Sequence, residues 1–100
     1  MEFVRTWDGK FFGWIEDGGL FAADGRHVGE FRKENVFAED GRYIGELREG
    51  RLVTSEIKKD THTSLGFWPN PNPQGVPSER PPDESPRELP SGYEPFPTLG

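Results

Sequence analysis

The sequence contains no cysteine, which excludes disulfides and thiolate metal sites as sources of stability. Proline is missing before residue 69, and hydrophobic residues other than glycine make up only 31% of the 100. Any core is therefore expected to be thin. Long apolar runs are also missing, and "MEFVRTWDGK" opens the chain with charge, so neither a signal segment nor a membrane span is expected and the reading is a soluble, cytoplasmic protein. Positive charge is in the minority: 12 Lys and Arg face 18 Asp and Glu, a net charge of −6. That balance disfavours nucleic acid and anionic membrane surfaces, and neither is expected as a partner.

Glycine and proline are abundant instead. Thirteen glycines and ten prolines favour turns and irregular backbone over helix, so the expected class is all-β. The two residue types segregate. All ten prolines (69, 71, 73, 77, 81, 82, 86, 90, 95 and 97) follow Trp68, while ten of the thirteen glycines lie at or before Gly66. Residues 1–68 read as a folded domain, and 69–100 as a proline-rich, acidic, disordered tail, because proline lacks the amide that a sheet ladder needs.

Within residues 1–68 the phrases "LFAADGRHVGEFR" at 20–32 and "VFAEDGRYIGELR" at 36–48 are two copies of one pattern. Asp8 and Gly9, Asp24 and Gly25, and Asp40 and Gly41 recur at a sixteen-residue step, each followed by a second glycine at Gly13, Gly29 and Gly45. Three apolar columns keep that step: Val4, Leu20, Val36 and Leu52; Phe12, Val28 and Ile44; Ile15, Phe31 and Leu47. The repeats run near 3–18, 19–34 and 35–50. A degenerate fourth covers 51–68, in which Leu65, Gly66, Phe67 and Trp68 look like a displaced later half.

Asp-Gly between short apolar runs predicts a two-residue type I′ hairpin loop, which needs positive φ at both central residues. Around Asp24 and Gly25 that register sets Phe21 opposite Val28 on one face and Leu20 opposite Gly29, with Leu20 and Phe31 on the other face. A second turn ends each repeat, in "EDGG", "RKEN" and "REGR", where Gly18, Asn35 and Gly50 tolerate left-handed backbone. Hairpins with two partly apolar faces need neighbours on both sides, so a ring or stack is expected.

The Asp-Gly and Gly positions at a sixteen-residue step, the looser last copy and the proline-rich C-terminus resemble the 4-fold beta flower proteins, a family of small bacterial proteins. The resemblance covers residues 3–68 and, loosely, the tail. It implies four β-hairpin units around a pseudo-fourfold axis, and it brings no established activity and no functional residues. Two features depart from it: the fourth copy lacks Asp-Gly, and "PSERPPDESPREL" is acidic and polar.

No catalytic residue is assigned. Asp8, Asp24 and Asp40 are accounted for by turn geometry, and Glu30 and Glu46 by solvated strand positions, which leaves no carboxylate pair in need of acid-base work. His27 and His62 lie in different repeats without cysteine partners, an arrangement of ordinary strand or loop positions rather than of metal ligands. Ser, Asp and His within "SEIKKDTHTS" lie together by accident in a polar loop, since a triad is defined by geometry. One carboxylate per Asp-Gly loop is too few for calcium. No metal and no cofactor is expected.

The interaction candidates are mainly aromatic. Trp7, Phe11, Trp14, Phe67 and Trp68 fall in the first and last repeats, which a closing ring would bring together as a core-completing seam or as a partner surface. The tail prolines are never three apart, so the PxxP signature is absent. Tyr93, Phe96 and Leu99 in "YEPFPTLG" are unusual for a solvating tail and are expected to dock, on the hairpin domain or on a second protein. The candidate interaction set is therefore Trp7, Trp14, Phe67, Trp68, Tyr93, Phe96 and Leu99. The function it suggests is a non-enzymatic interaction or assembly module with protein partners, a homo-oligomer among them. The alternative is a small-ligand-binding domain with an aromatic-lined cavity near the repeat axis.

Overall fold

The computed structural model describes residues 2–75 and 79–97, so Leu99 lies outside the described residues. Along the chain come β1 (Glu2–Thr6), β2 (Phe11–Glu16), β3 (Gly19–Ala22), β4 (His27–Arg32), β5 (Asn35–Phe37), β6 (Tyr43–Arg48), β7 (Arg51–Ser55), α1 (Glu56–Thr61) and β8 (Tyr93–Pro95). Each strand from β1 to β7 pairs antiparallel with the next, and β1 also pairs with β7. The result is a closed seven-strand barrel with β8 as an extra strand on β7.

Seven alternating strands leave the first and last running the same way, so the closing contact must be parallel. It is brief, matching only Arg5 with Arg51 and Thr6 with Leu52. The C-terminal half of β7 parts from β1 and pairs antiparallel with β8, through Val53 with Pro95, Thr54 with Glu94 and Ser55 with Tyr93. The Glu56 amide donates to the Gly92 carbonyl at 2.9 Å, and from there the alternation of the ladder puts Pro95 at a position that exchanges no hydrogen bond with β7. Proline on this edge strand thereby forfeits nothing.

The connections alternate between two forms. Glu16 pairs with Gly19, Arg32 with Asn35 and Arg48 with Arg51, which leaves two-residue loops between them. In those loops Asp17 (φ 50), Lys33 (φ 58) and Glu49 (φ 52) are left-handed, joined by Gly18 and Gly50 at φ 77. These are the tight hairpin loops, and the Asp-Gly pairs are not. Asn35 begins β5, and Lys33 takes the left-handed position expected of it. At the Asp-Gly turns the amides of Gly9, Gly25 and Gly41 donate to Thr6, Ala22 and Ala38 at 3.0, 2.9 and 2.8 Å, and only the glycine has positive φ. This is the three-residue loop in which a left-handed glycine ends a turn and creates a bulge. The aspartate caps instead: Asp24 Oδ1 accepts the Arg26 amide and Asp40 Oδ1 the Arg42 amide.

The longer turn changes the register. Pairing slips by one residue between Val4 and Arg5, Leu20 and Phe21, and Val36 and Phe37, so Phe12, Val28 and Ile44 are the extra residues. Phe21 therefore stands opposite His27 rather than Val28, while Leu20 stands opposite Gly29 as expected. The bulge brings the second apolar column to the side of the first. Val4, Leu20, Val36 and Leu52 are fully buried, Ile44 joins them, and Phe12 and Val28 pack against the cluster.

The fourth copy expected over 51–68 takes another form. After β7 the chain turns into α1, with the Ser55 hydroxyl accepting the Lys58 amide, and Leu65 and Trp68 are 83% and 93% exposed. The strand on the free half of β7 is β8, and Phe96 beside it belongs to the central cluster at 7% exposure. Gly45 makes the space, since a Cβ there would lie 2.4 Å from the Phe96 ring. The tail expected to be disordered thus contributes a strand and a core side chain. Burying a phenylalanine stabilises by about 1.5–3 kcal/mol, a local gain that the proline-rich and acidic composition of the segment conceals. Phe96→Ala is expected to destabilise the protein by about 3–5 kcal/mol in a denaturant titration, and Trp68→Ala by no more than about 0.5 kcal/mol. Equal midpoints for the two variants would contradict a core role for Phe96.

Candidate functional site

The groups that the barrel turns outward are held by the chain that follows β7. Beyond α1 the chain crosses the Asp40–Gly41 turn, where the Ser64 amide donates to the Gly41 carbonyl at 2.8 Å and the Phe67 amide to the Glu39 carbonyl at 3.1 Å. The Asn70 amide then donates to His27 Nδ1 at 2.8 Å, and the Gln74 and Gly75 amides to the Glu16 carboxylate at 2.8 and 2.7 Å. Those amides hold the Glu16 carboxyl below its usual range, against the opposing effect of desolvation. At the first Asp-Gly turn the Glu84 amide donates to the Gly9 carbonyl at 2.8 Å and the Arg87 amide to the Trp7 carbonyl at 3.2 Å. Charge reinforces this contact. Glu84 reaches Arg51 at 3.2 Å and Arg5 at 3.5 Å, and Arg87 reaches Glu49 at 2.8 Å. Arg51 is 4% exposed and also donates to the Trp7 carbonyl at 2.9 Å, so Glu84 neutralises a cation that the fold has buried.

The aromatic candidates do not form one seam. Trp7 is buried under the tail, its indole N–H donating to the Glu88 carbonyl at 3.0 Å with the Arg87 guanidinium over its ring. Trp14 is fully buried, stacked on Phe21 with centroids 5.4 Å apart and bonded to Glu16 at 3.1 Å. Phe67 lies against His27, whose imidazole is sandwiched between Phe21 and Phe67 at 4.5 Å from each centroid. Because Nδ1 accepts the Asn70 amide, the proton of the neutral ring sits on Nε2, 3.4 Å from Glu30. The imidazole, its side chain 6% exposed, is a clamp for the tail. Trp68 is exposed, Tyr93 pairs with Ser55 of β7, Phe96 packs against Gly45 of β6 and edge-on to Phe12 of β2, and Phe11 stands edge-on to Phe3 at 5.8 Å. The strands close through β1 and β7, and the aromatic candidates are dispersed rather than gathered at that closure.

Glu46 corrects the reading of a solvated strand position, for it is fully buried. Its carboxylate accepts from Arg48 Nε at 2.7 Å and from the Tyr43 hydroxyl at 3.0 Å, and lies 3.1 Å from Lys58 Nζ. Burial alone would raise its pKa; the donors from Arg48, Lys58 and Tyr43 outweigh burial and hold it below the ordinary 4.5. Tyr43 moves the other way, pushed up by burial and by the neighbouring carboxylate although the Ser55 amide donates to its hydroxyl. Arg48 extends the network to the tail by donating to the Tyr93 hydroxyl and lying 4.7 Å from the centre of its ring. This is a brace joining β6, α1 and β8. Strand alternation gave no sign of it, because Lys58 arrives from a helix that the composition did not announce. Among the described residues, no group of three or more His, Asp or Glu stands together as a metal site.

The direction of the Glu46 shift sets a pH dependence. A carboxyl that titrates lower in the folded than in the unfolded chain stabilises fully above the unfolded value and loses that contribution as pH falls through the folded one. Wild type should exceed Glu46→Gln by about 1.5–3 kcal/mol near pH 7, where the variant replaces a buried carboxylate that accepts from Arg48 and Tyr43 and faces Lys58. The two should converge at a pH well below 4.5. A difference unchanged by pH in urea titrations would contradict an ionised brace.

No curated protein and no solved structure matches the chain. A family model described as 4-fold beta flower protein matches residues 1–99, the barrel together with the segment that wraps it, and the chain belongs to that family.

Proposed function

We propose that the protein is a non-enzymatic interaction module, a small closed sheet whose turns and strand edge hold extended polypeptide. The observation that carries this reading is that main-chain carbonyls of the barrel (Gly9, Trp7, Glu39 and Gly41) together with the edge of β7 hold the protein's own residues 64–67, 84–87 and 93–95. Recognition through main-chain groups takes an extended segment of almost any sequence, and pockets beside it add the preference. Assembly is the same capture with the segment supplied by a second copy, as in domain exchange.

The finer architecture supports the reading. We take the barrel as four quasi-equivalent units, the fourth assembled from β7 and β8, with Val4, Leu20, Val36 and Leu52 as their equivalent central residues. Those side chains and Phe96 fill the centre, where the small-ligand alternative needs a cavity. The buried carboxylate, Glu46, spends its oxygens on Arg48, Lys58 and Tyr43, which favours bracing over acid-base chemistry.

Cutting the chain tests capture directly. A protease recognition sequence inserted between Pro71 and Asn72, both exposed, allows the folded full-length protein to be cleaved there. The two pieces are expected to co-elute on a sizing column and to recombine after separation. A barrel that stays folded while the released piece elutes alone would overturn the reading.

A further inference from the structure

Among the described residues, main-chain amides of the chain from Phe67 to Gly75 reach the barrel at three points that differ in kind. At one end the Phe67 amide donates to the main-chain carbonyl of Glu39, an acceptor that does not titrate. At the other the Gln74 and Gly75 amides donate to the Glu16 carboxylate, which also accepts from Trp14 Nε1. The middle point is the imidazole of His27. Its Nδ1 accepts the Asn70 amide at 2.8 Å, and its ring lies between those of Phe21 and Phe67. Imidazole is the side chain that ordinarily changes charge between about pH 5 and 8, so one of the three acceptors is open to loss within that range.

The neutral ring accepts at Nδ1 only while its proton is on Nε2, which lies 3.4 Å from Glu30 and makes no hydrogen bond. A proton added at Nδ1 turns that acceptor into a donor aimed at the Asn70 amide, itself a donor, across 2.8 Å. Proton and amide therefore exclude each other. The surroundings do not reverse this. β3 brings no ionisable side chain to the ring, only Gly19 and Phe21, and residues 67–75 bring none either. Glu30 on β4, with Asp24, Arg26 and Glu39 lining the adjoining cleft, belongs to the barrel and stays whether the segment is closed or open. Those charges move the pH of release without changing its direction. Phe67 is the exception, a ring whose face attracts a cation in the closed state, but that attraction still leaves the Asn70 amide facing a donor.

We propose that His27 is a pH-sensitive latch on residues 68–73. Neutral, it accepts the Asn70 amide and closes the segment on the barrel. Protonated, it donates where it must accept, and the segment opens between its anchors at Glu39 and Glu16, which hold. Glu16 stays ionised through the same range, because the Gln74 and Gly75 amides keep its carboxyl below the ordinary 4.5. Closure is complete where the ring is neutral and is lost as pH falls through the ring's titration. As a regulation of how the barrel holds extended polypeptide, the proposal rests on that reading, while the chemistry of the latch stands on the His27 geometry alone.

The test follows isotope-labelled full-length protein by NMR from about pH 8 to about pH 5, reading the His27 ring nitrogens and the amides of Phe67, Asn70, Gln74 and Gly75. The Asn70 amide shift should move with the same midpoint as the ring nitrogens. Its protection against hydrogen exchange, corrected for the intrinsic rate, should fall at least roughly tenfold, as loss of a hydrogen bond requires, while the other three amides keep theirs. His27→Asn places an amide oxygen where Nδ1 stands and takes up no proton in this range, so its Asn70 amide should stay protected at both ends of the titration. An Asn70 amide that does not respond while the ring titrates overturns the proposal, as does a ring that stays neutral at about pH 5. Release of Gln74 and Gly75 in the same step overturns it too, since the whole segment would then be leaving, and so does an unchanged pH response in His27→Asn. Should that variant fail to fold or to close, the coincidence or separation of the two wild-type midpoints decides. Co-elution of the cleaved pieces described above, with an Asn70 amide indifferent to pH, would remove the latch and leave the general reading standing; pieces that elute apart, with the Asn70 amide tracking His27 in the uncut chain, would remove the reading and leave the latch.

Discussion

Closing a sheet on itself removes its free edges, and every other feature of this fold depends on how the chain closes one with an odd number of strands. Seven alternating strands bring β1 and β7 together in parallel over two residue pairs, and the rest of β7 is left open on that side. The central column of Val4, Leu20, Val36 and Leu52 needs a further large side chain, because small domains bury little apolar surface per residue. Residues 93–96 meet both needs, with β8 on the open half of β7 and Phe96 against Gly45. The C-terminal segment is structural before it is anything else.

The same economy explains the surface. A three-residue Asp-Gly loop makes the bulge that turns Phe12, Val28 and Ile44 inward, and its left-handed glycine exposes carbonyls at the rim. Chain returning from α1 to β8 has to cross that rim, and the exposed carbonyls accept its amides. Glu84 on the buried Arg51, and the buried Glu46 between Arg48 and Lys58, then fix the path by giving each buried charge its partner. Proline suits this path at Pro86, which lies between the donors Glu84 and Arg87, and at Pro95, which the ladder leaves unbonded to β7.

How far the sequence foretold this depends on the residue. The column beginning at Val4 and the all-β class were legible, since a sixteen-residue apolar period leaves few alternatives. Register around Phe21 was not, because Asp-Gly serves loops of two lengths and only the partner strand decides between Val28 and His27. Lys33 at positive φ carried no glycine signal. Glu46 resembled a solvated strand glutamate because Lys58 and Tyr43 become its neighbours only in the folded chain. Phe96 stood out as apolar in a polar tail, but its place in the core could not be inferred without knowing that β7 has an open half. Trp68 failed in the opposite sense, a large aromatic side chain that the fold leaves in solvent.

The central claim is that the C-terminal segment is part of the barrel, and the amide of Glu94 reports on it most directly. The ladder places Glu94 opposite Thr54 as a bonded pair on the free half of β7. Hydrogen exchange on the full-length protein should show the Glu94 amide opening with the same free energy as the Leu47 amide of β6, both released only by global unfolding. Exchange at Glu94 near the unprotected rate, with Leu47 still protected, would mean that the seven strands close without β8 and would contradict the account.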